Sequence, residues 1–490
     1  MKMLLLFTIL FPILMGACLP LRKFENGKDK RRNIYVIFSI LMTSILVLLN
    51  FMINQNISVQ VIELLENMTI SFKIDQLSVL FLIIIAFLWP LTTFYAFEYM
   101  EHEGNENKFF TFFTMTYGVV IGLACSANLI TFYFMYECLT FVTLPLVTHA
   151  MDKRAMKAGK KYFVYSIFGA SLAFVGIMIL SQFSTSLEFV YGGVLDASKV
   201  NGHELLIQVG YLFIFFGFGV KAAIFPFHGW LPAAGVAPTP VTALLHAVAV
   251  VKAGVFAIMR VTFYSFGTTL LVNTFVQDIV LGFACFTIVF GSAMAWREQH
   301  LKRRFAYSTI SNLSYILVGV GLMTPEGFVG AMSHMFMHAI MKICLFFCVG
   351  VIMAKTHKEF VYQIEGYGTK MPVTFASFII GACSLSGIPL FAGFISKSAL
   401  ASAAVLNSSI WSFIIVVCLL ISAILTAAYT FEICIKGFVI SKGFNMSRLE
   451  GKSDPSWFMK APLVILCTCM IMCGLFATDI MNFISMIAFK

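Results

Sequence analysis

Apolar runs of eighteen or more residues recur from one end of this chain to the other, and that repetition constrains the fold more than any motif does. Each run is long enough to cross a hydrocarbon core of ~30 Å as a helix. Apolar residues fill 60% of the 490 positions and charged residues only 11%, far too little polar surface for a soluble chain of this length. The fold class is therefore all-α membrane protein, with about fourteen transmembrane helices in a single polytopic domain over 1–490. The spans read at roughly 3–20, 33–54, 76–97, 109–124, 127–149, 161–183, 206–224, 239–263, 271–294, 304–323, 326–353, 371–397, 407–435 and 461–487, numbered 1 to 14 below. The longest loops, Ser184–Glu204 and Lys436–Lys460, are too short to bury a core of their own.

A net charge of +10 would suit nucleic acid, but its distribution excludes that partner. With Leu21–Asn33 in the cytoplasm, 24 of the 33 Lys and Arg fall on the cytoplasmic side, in Arg22–Arg32, Lys108, Lys153–Lys161, Arg297–Arg304, Lys355–Lys370 and Lys436–Lys460. Only Lys2, Lys73, Lys199 and Lys490 fall outside. The positive-inside rule expects this bias, and a missed helix would scramble it. Both termini are expected on the outer side of a prokaryotic cell membrane. Met1–Pro20 has the outline of a signal peptide and Met15–Cys18 that of a lipoprotein cleavage site. A retained first helix is favoured, because the n-region has a single Lys and removal would leave an odd number of spans. The twelve Cys are scattered through apolar spans, and the one cluster, Cys467, Cys469 and Cys473, has only Asp479 nearby to complete a metal site. Packing cysteines are the expectation, with neither metal nor cofactor.

Two spans carry breaks. In Val220–Pro232 two prolines and a glycine follow Lys221; in Ser384–Lys397, Pro389 lies between Gly387 and Gly393, with Lys397 after them. Proline removes a backbone donor, and the freed carbonyls must find water or a partner. Interruptions five spans apart, each with a lysine, suggest two inverted five-helix repeats. Helices 1–3 at 1–97 then precede repeat one at 109–263 and repeat two at 271–435, with helix 14 at 461–487. Transporters built from inverted repeats place ion sites at such breaks.

Spans 5, 7, 8, 11 and 12 hold Glu137, Lys221, Lys252, Lys342 and Lys397. A charge at the bilayer centre costs ~2.5–3.5 kcal/mol on insertion scales, so each needs a partner, water or a function. One acid among four bases cannot pair them all. In span 11, His334, His338 and Lys342 stand at i, i+4 and i+8, on one helical face. His246 and Lys252 are six apart, on different faces of span 8, and would need water between them. Imidazoles in line with amines suit a proton relay; they do not supply the facing ligands of a bis-His haem. Arg260, near the outer end of span 8, reads equally as an anchor or a functional group. Asp75 looks like a helix-start residue, Glu432 and Lys436 like an interfacial pair, and Lys302–Arg304 like a topology signal.

These residues resemble the antiporter-like, proton-pumping subunits shared by respiratory complex I, Mrp-type cation/proton antiporters and membrane-bound hydrogenases. The resemblance covers nearly the whole chain. It rests on Asp75-Gln-Leu-Ser78, Met135-Tyr-Glu-Cys138, Lys221 with Pro226-Phe-His-Gly-Trp-Leu-Pro232, and Pro240-Val-Thr-Ala-Leu-Leu-His246 with Val251-Lys-Ala-Gly254. It continues through Lys302-Arg-Arg-Phe-Ala-Tyr-Ser308, His334…His338…Lys342, and Leu385-Ser-Gly-Ile-Pro389…Gly393-Phe-Ile-Ser-Lys397. It implies that Glu137 and Lys221 are a coupled acid and base. It makes Lys252 and His246 the bridge between half-channels, continued by His334, His338 and Lys342, and Lys397 the residue exchanging protons with the outside. Tyr136 stands where the family usually has Trp, Leu390 replaces the second Pro of Gly-Ile-Pro-Pro, and His300 replaces a common Asp. The Phe-Ile-Ser-Lys397 wording looks closest to the D-type branch of the Mrp antiporters.

The leading expectation is a proton-translocating subunit of a multisubunit complex, either redox-driven or antiporting, with other membrane subunits and homologous antiporter-like subunits as partners. Any redox chemistry would belong to those partners. The alternatives are a stand-alone secondary transporter and, less favoured, a haem- or quinone-binding protein. Whether Na⁺ crosses the complex is left open; a lysine-lined axis is itself a poor Na⁺ site.

Overall fold

The computed structural model describes the chain except residues 1, 23, 26, 54–56, 66–67, 408, 442–448, 450, 452 and 490, and the side chains of Leu64, Leu65 and Phe489. Of the basic residues counted above, Lys23, Lys442, Arg448, Lys452 and Lys490 lie outside the described residues.

Each of the fourteen apolar runs is a helix or a pair of helices. Spans 1 to 6 are Lys2–Cys18, Lys30–Ile53, Gln76–Glu103, Glu106–Ala124, Leu129–Val147 and Lys153–Phe183. Spans 9, 10, 11 and 13 are Phe275–Arg297, Leu301–Gly321, Pro325–Thr356 and Ile410–Phe438. Side-chain caps start several of them: Asp75 accepts from the Ser78 amide, Asn128 from Thr131, Asp152 from Ala155 and Thr324 from Gly327. Each replaces an intrahelical partner that the first turn lacks.

The two expected breaks are present. Span 7 runs as helix only over Glu204–Gly219 and resumes as a short turn at Trp230–Ala233. Span 12 is split into Pro372–Ser386 and Ala392–Leu406, which places Lys397 inside the second half rather than at the span's end. Two further interruptions were not foreseen. Span 8 breaks between Thr239–Ala247 and Val250–Arg260 and ends in a π-helical turn, Val261–Phe266. Span 14 is Trp457–Leu475 followed by Ala477–Phe489.

The wholly helical expectation also missed a hairpin. Strand β1, Val59–Leu65, pairs antiparallel with β2, Met68–Phe72, between spans 2 and 3. It is tied to the junction of spans 4 and 5, where the Asn128 amide donates to the Thr69 carbonyl at 2.8 Å and Thr131 Oγ1 accepts from the Ser71 amide at 2.9 Å.

Small residues set the closest crossings. A Cβ on Gly217 of span 7 would lie 2.4 Å from the Ala173 amide of span 6, and one on Gly176 would lie 2.5 Å from the Gly210 carbonyl. Backbones meet there directly, as helices do in lipid where packing replaces the hydrophobic drive. Spans 8 and 11 form the interior. The apolar stretch of span 8 is 100% buried and that of span 11 is 94% buried, against 22% for span 13. Titratable groups on spans 8 and 11 are thus shielded from lipid by the chain itself.

Candidate functional site

At the first break, the exposed backbone groups find partners. The Trp230 indole donates to the Val220 carbonyl at 2.7 Å, and Thr287 of span 9 accepts from the Phe225 amide at 3.1 Å. Lys221 is 1% exposed, and its ammonium donates to the backbone carbonyl of Tyr136 on span 5 at 2.5 Å. It also lies 3.4 Å from the centre of the Tyr136 ring, a cation–π contact. The expected acid–base couple is therefore not a direct ion pair. Glu137 follows Tyr136 on the same turn, but its Oε1 is buried without a hydrogen-bond partner. The aromatic residue before the acid, Tyr136, holds the amine instead.

The backbone of span 8 presses against this break, since a Cβ on Gly254 would lie 2.5 Å from the Ala222 amide. The interruption at Val248–Ala249 separates His246 from Lys252. Lys252 meets His338 of span 11, Nζ to Nδ1 at 2.7 Å, with both residues wholly buried. His246 does not join the line by any direct bond. Neither of its ring nitrogens has a partner, and the ring packs on Phe346 at 4.9 Å. His246 and Lys252 thus make no direct contact, as their spacing on different faces implies, and His338 is the contact that the tertiary fold supplies.

Along span 11 the stacked spacing holds. The His338 and His334 rings lie 5.7 Å apart, and His334 stacks on Tyr315 of span 10 at 5.2 Å. His334 Nδ1 contacts Ser396 Oγ of span 12 at 3.0 Å. Lys342 donates to Ser308 Oγ at 2.6 Å and to the Phe305 carbonyl at 3.3 Å. At the second break, Lys397 donates to the freed Leu385 carbonyl at 2.6 Å, and its ammonium lies 5.3 Å from the Tyr315 ring. A near-continuous line runs Lys397, Tyr315, His334, His338, Lys252, with Lys342 beside it and Lys221 across the Gly254–Ala222 contact. The four amines rest on carbonyls, a hydroxyl or an imidazole, and none of them on a carboxylate among the described residues.

Other charges turned out to be buried anchors. Arg260 is 0% exposed and gives both terminal nitrogens to Asp75, with a third bond to Ser78 Oγ at 2.9 Å. This answers the open reading of Arg260, and it gives the helix-start residue Asp75 a second task. Lys302 donates to the Ala237 carbonyl at 3.0 Å, and Arg304 donates to the Tyr429 carbonyl and to Glu432 Oε2 at 2.8 Å. Lys436 holds the other oxygen of Glu432 at 2.7 Å, which extends the expected pair into a triad. Cys344 and Cys467 have their sulfurs 3.9 Å apart between spans 11 and 14, a packing contact. Tyr136, Tyr315, Ser308 and Ser396 were missed. Hydroxyl residues are common in these spans, and nothing in their spacing sets these four apart.

A family model described as "NADH:quinone oxidoreductase/Mrp antiporter, TM" matches residues 126–425, and one for the N-terminus of chain 5 of complex I matches residues 65–110. Subunit 5 of the chloroplastic NAD(P)H-quinone oxidoreductase of Phaseolus vulgaris is 28% identical over 473 residues, covering 91% of this chain and 61% of its own. The A component of the Na(+)/H(+) antiporter of Alkalihalophilus pseudofirmus is 30% identical over 388 residues, covering 74% and 47% respectively. This chain thus spans less than two thirds of the length of these relatives. They are of the subunit 5 type and the antiporter A type, and they do not single out the D-type branch. Among solved structures, a chain of an archaeal membrane-bound sulfane sulfur reductase superposes with a TM-score of 0.84 at 22% identity, covering 100% of this chain and 97% of that one. This protein is a multi-pass membrane protein that belongs to the NADH:quinone oxidoreductase/Mrp antiporter transmembrane family.

Proposed function

We propose that this chain is a proton-translocating, antiporter-like subunit of a multisubunit membrane complex. The observation that carries the reading is the line in which Lys252, His338 and His334 lie wholly buried on the shielded spans 8 and 11, between buried Lys221 on span 7 and half-buried Lys397 on span 12. Its junctions are the Lys252–His338 contact, the ring pairs His338–His334 and His334–Tyr315, and the approach of Lys397 to the Tyr315 ring. The Lys252–His338 contact is the clearest: one proton is shared between an amine and an imidazole, and moving it recharges the next group. Glu137 acts from a short distance, so its charge state biases Lys221 without trapping it in a tight pair. Protonation at one end is then felt at the other by charge repulsion between successive amines.

The complex is redox-driven or antiporting, and any electrons run through partner subunits. The breaks in spans 7 and 12 mark two inverted repeats, over 109–263 and 271–435, and the basic loops lie on the cytoplasmic side of a prokaryotic plasma membrane, with both termini outside. Lys397 fits the D-type branch of the Mrp antiporters. Sodium, where it is transported, takes another route, because a protonated lysine axis repels it.

The test uses the intact complex in proteoliposomes. Lys221→Ala and Glu137→Ala should each abolish proton flux while the subunit composition stays unchanged. Flux equal to wild type in both variants would refute the relay. Gentle purification names the engine: redox subunits mark a redox pump, small antiporter subunits an antiporter, and a lone chain the stand-alone transporter.

A further inference from the structure

Away from the axis, at the end opposite the basic loops, spans 6 and 7 enclose a cleft of about 880 Å³, within the ~300–1,000 Å³ of pockets that take an organic ligand. Its wall is apolar and faces lipid: Phe174 and Val175 of span 6 and Leu206 of span 7 are exposed, with Met178 beside them. Its crown is polar. Gln182 ends the helical face that Phe174 and Met178 begin, four residues apart at each step, and Lys199, Asn201 and His203 come from the loop joining the two spans. The loop holds this crown in place. The Asp196 amide donates to the Phe183 carbonyl at 2.9 Å, the Asp196 carboxylate caps the short turn Ala197–Val200, and the His203 ring lies 5.2 Å from that of Phe183. The two acids nearby are turned to other partners, Asp196 to the amide and hydroxyl of Ser198 and Glu204 to the Gly202 amide at 3.2 Å. Among the described residues no carboxylate lines the cleft.

Lys199 is one of only four Lys and Arg that the order of spans puts on the face away from the basic loops, out of 33 in the chain. The positive-inside bias runs against a lysine there, so topology does not account for it. A cationic crown of donors above an apolar wall matches the two parts of a phospholipid, its phosphate and its acyl chain. Span 6 rises about 12 Å between Phe174 and Gln182, which lays the upper part of a chain along the wall. The helix of another subunit would cover the wall but leave the donors to water. We propose that this cleft seats an anionic phospholipid, with its phosphate held by Lys199, Gln182, Asn201 and His203 and one acyl chain against Phe174, Met178 and Leu206. The site is separate from the proton axis and does not depend on it.

The test places the intact complex in phosphatidylcholine nanodiscs that carry a minor share of phosphatidylglycerol with a photoreactive acyl chain, and maps the labelled peptides by mass spectrometry. Label should concentrate on residues 174–182 and Leu206, well above the level given by phosphatidylcholine bearing the same reactive chain. Lys199→Ala changes an exposed side chain outside the packed spans. It should lower the phosphatidylglycerol label there roughly fivefold, as for one basic residue at a membrane surface. Added salt should lower the wild-type label as well, because the crown is open to solvent. Equal labelling by the two lipids, or wild-type labelling in Lys199→Ala, would reduce the cleft to ordinary lipid annulus and overturn the proposal. Label on the lipid-facing span Lys30–Ile53 but none at 174–182 would mean that another subunit covers the cleft, and would overturn it too.

Discussion

The buried pair at the C-terminal end of the second half of span 8 gives a sharp quantitative prediction. Arg260 is wholly enclosed; its guanidinium is bonded to Asp75 and Ser78 and ringed by Phe189, Phe256 and Tyr264 at 5.0, 5.1 and 5.1 Å. The Asp75 side chain retains 18% exposure. Asp75→Asn keeps the cap on the Ser78 amide, since Asn caps as well as Asp, but removes the charge and turns one oxygen that accepts from Arg260 into an amide donor. Arg260 is then a buried cation without a counter-ion, which costs about 3–5 kcal/mol. The three aromatic faces persist in the variant and cancel from the difference, and the retained bond to Ser78 keeps the loss near the low end, about 3 kcal/mol. Arg260→Met should cost less, because the orphaned carboxylate can reach water and Met fills a pocket of aromatic rings. The double substitution should also cost less than Asp75→Asn alone. Amide hydrogen exchange over 73–79 reads the local opening, and about 3 kcal/mol corresponds to a loss of protection of roughly 100-fold. Greater loss in Arg260→Met than in Asp75→Asn, or additive losses in the double variant, would refute the argument.

Leu390 has a left-handed backbone, φ 74°, and an exposed side chain. Leu390→Gly should therefore raise the thermal midpoint by relieving about 1 kcal/mol of strain, whereas Leu390→Pro, the family's usual residue, should lower it because proline cannot adopt that φ. A Cβ on Gly393 would lie 1.8 Å from the Ser384 carbonyl; Gly393→Ala should force the halves of span 12 apart and reduce both assembly and flux, and unchanged purification yield would count against this packing. His338→Gln keeps an acceptor for Lys252, so thermal stability should hold within about 1 kcal/mol while proton flux is lost. Retained flux in that variant would reduce His338 to a passive acceptor.

Much of the site was legible because its signals are local. Lysines and histidines inside apolar runs stand out against a composition that excludes them, and the i, i+4, i+8 spacing of His334, His338 and Lys342 needs only helix geometry. The partners were not legible. Lys252 meets His338, 86 positions away on another span, a pairing that no local spacing encodes. Arg260 read equally as an anchor or a functional group, since the acid it pairs with lies 185 positions earlier.

The amino-acid sequence by itself determined the succession of apolar spans, the positions of the breaks in spans 7 and 12, and which titratable groups fall within the spans. Each of these follows from residue type within a window of one helix. Only the tertiary structure decided which carbonyl, hydroxyl or ring receives each charge, and hence that Lys221 rests on Tyr136 rather than on Glu137. That choice depends on where fourteen spans cross, and the crossings are set by side-chain volume and glycine contacts between segments far apart in the chain.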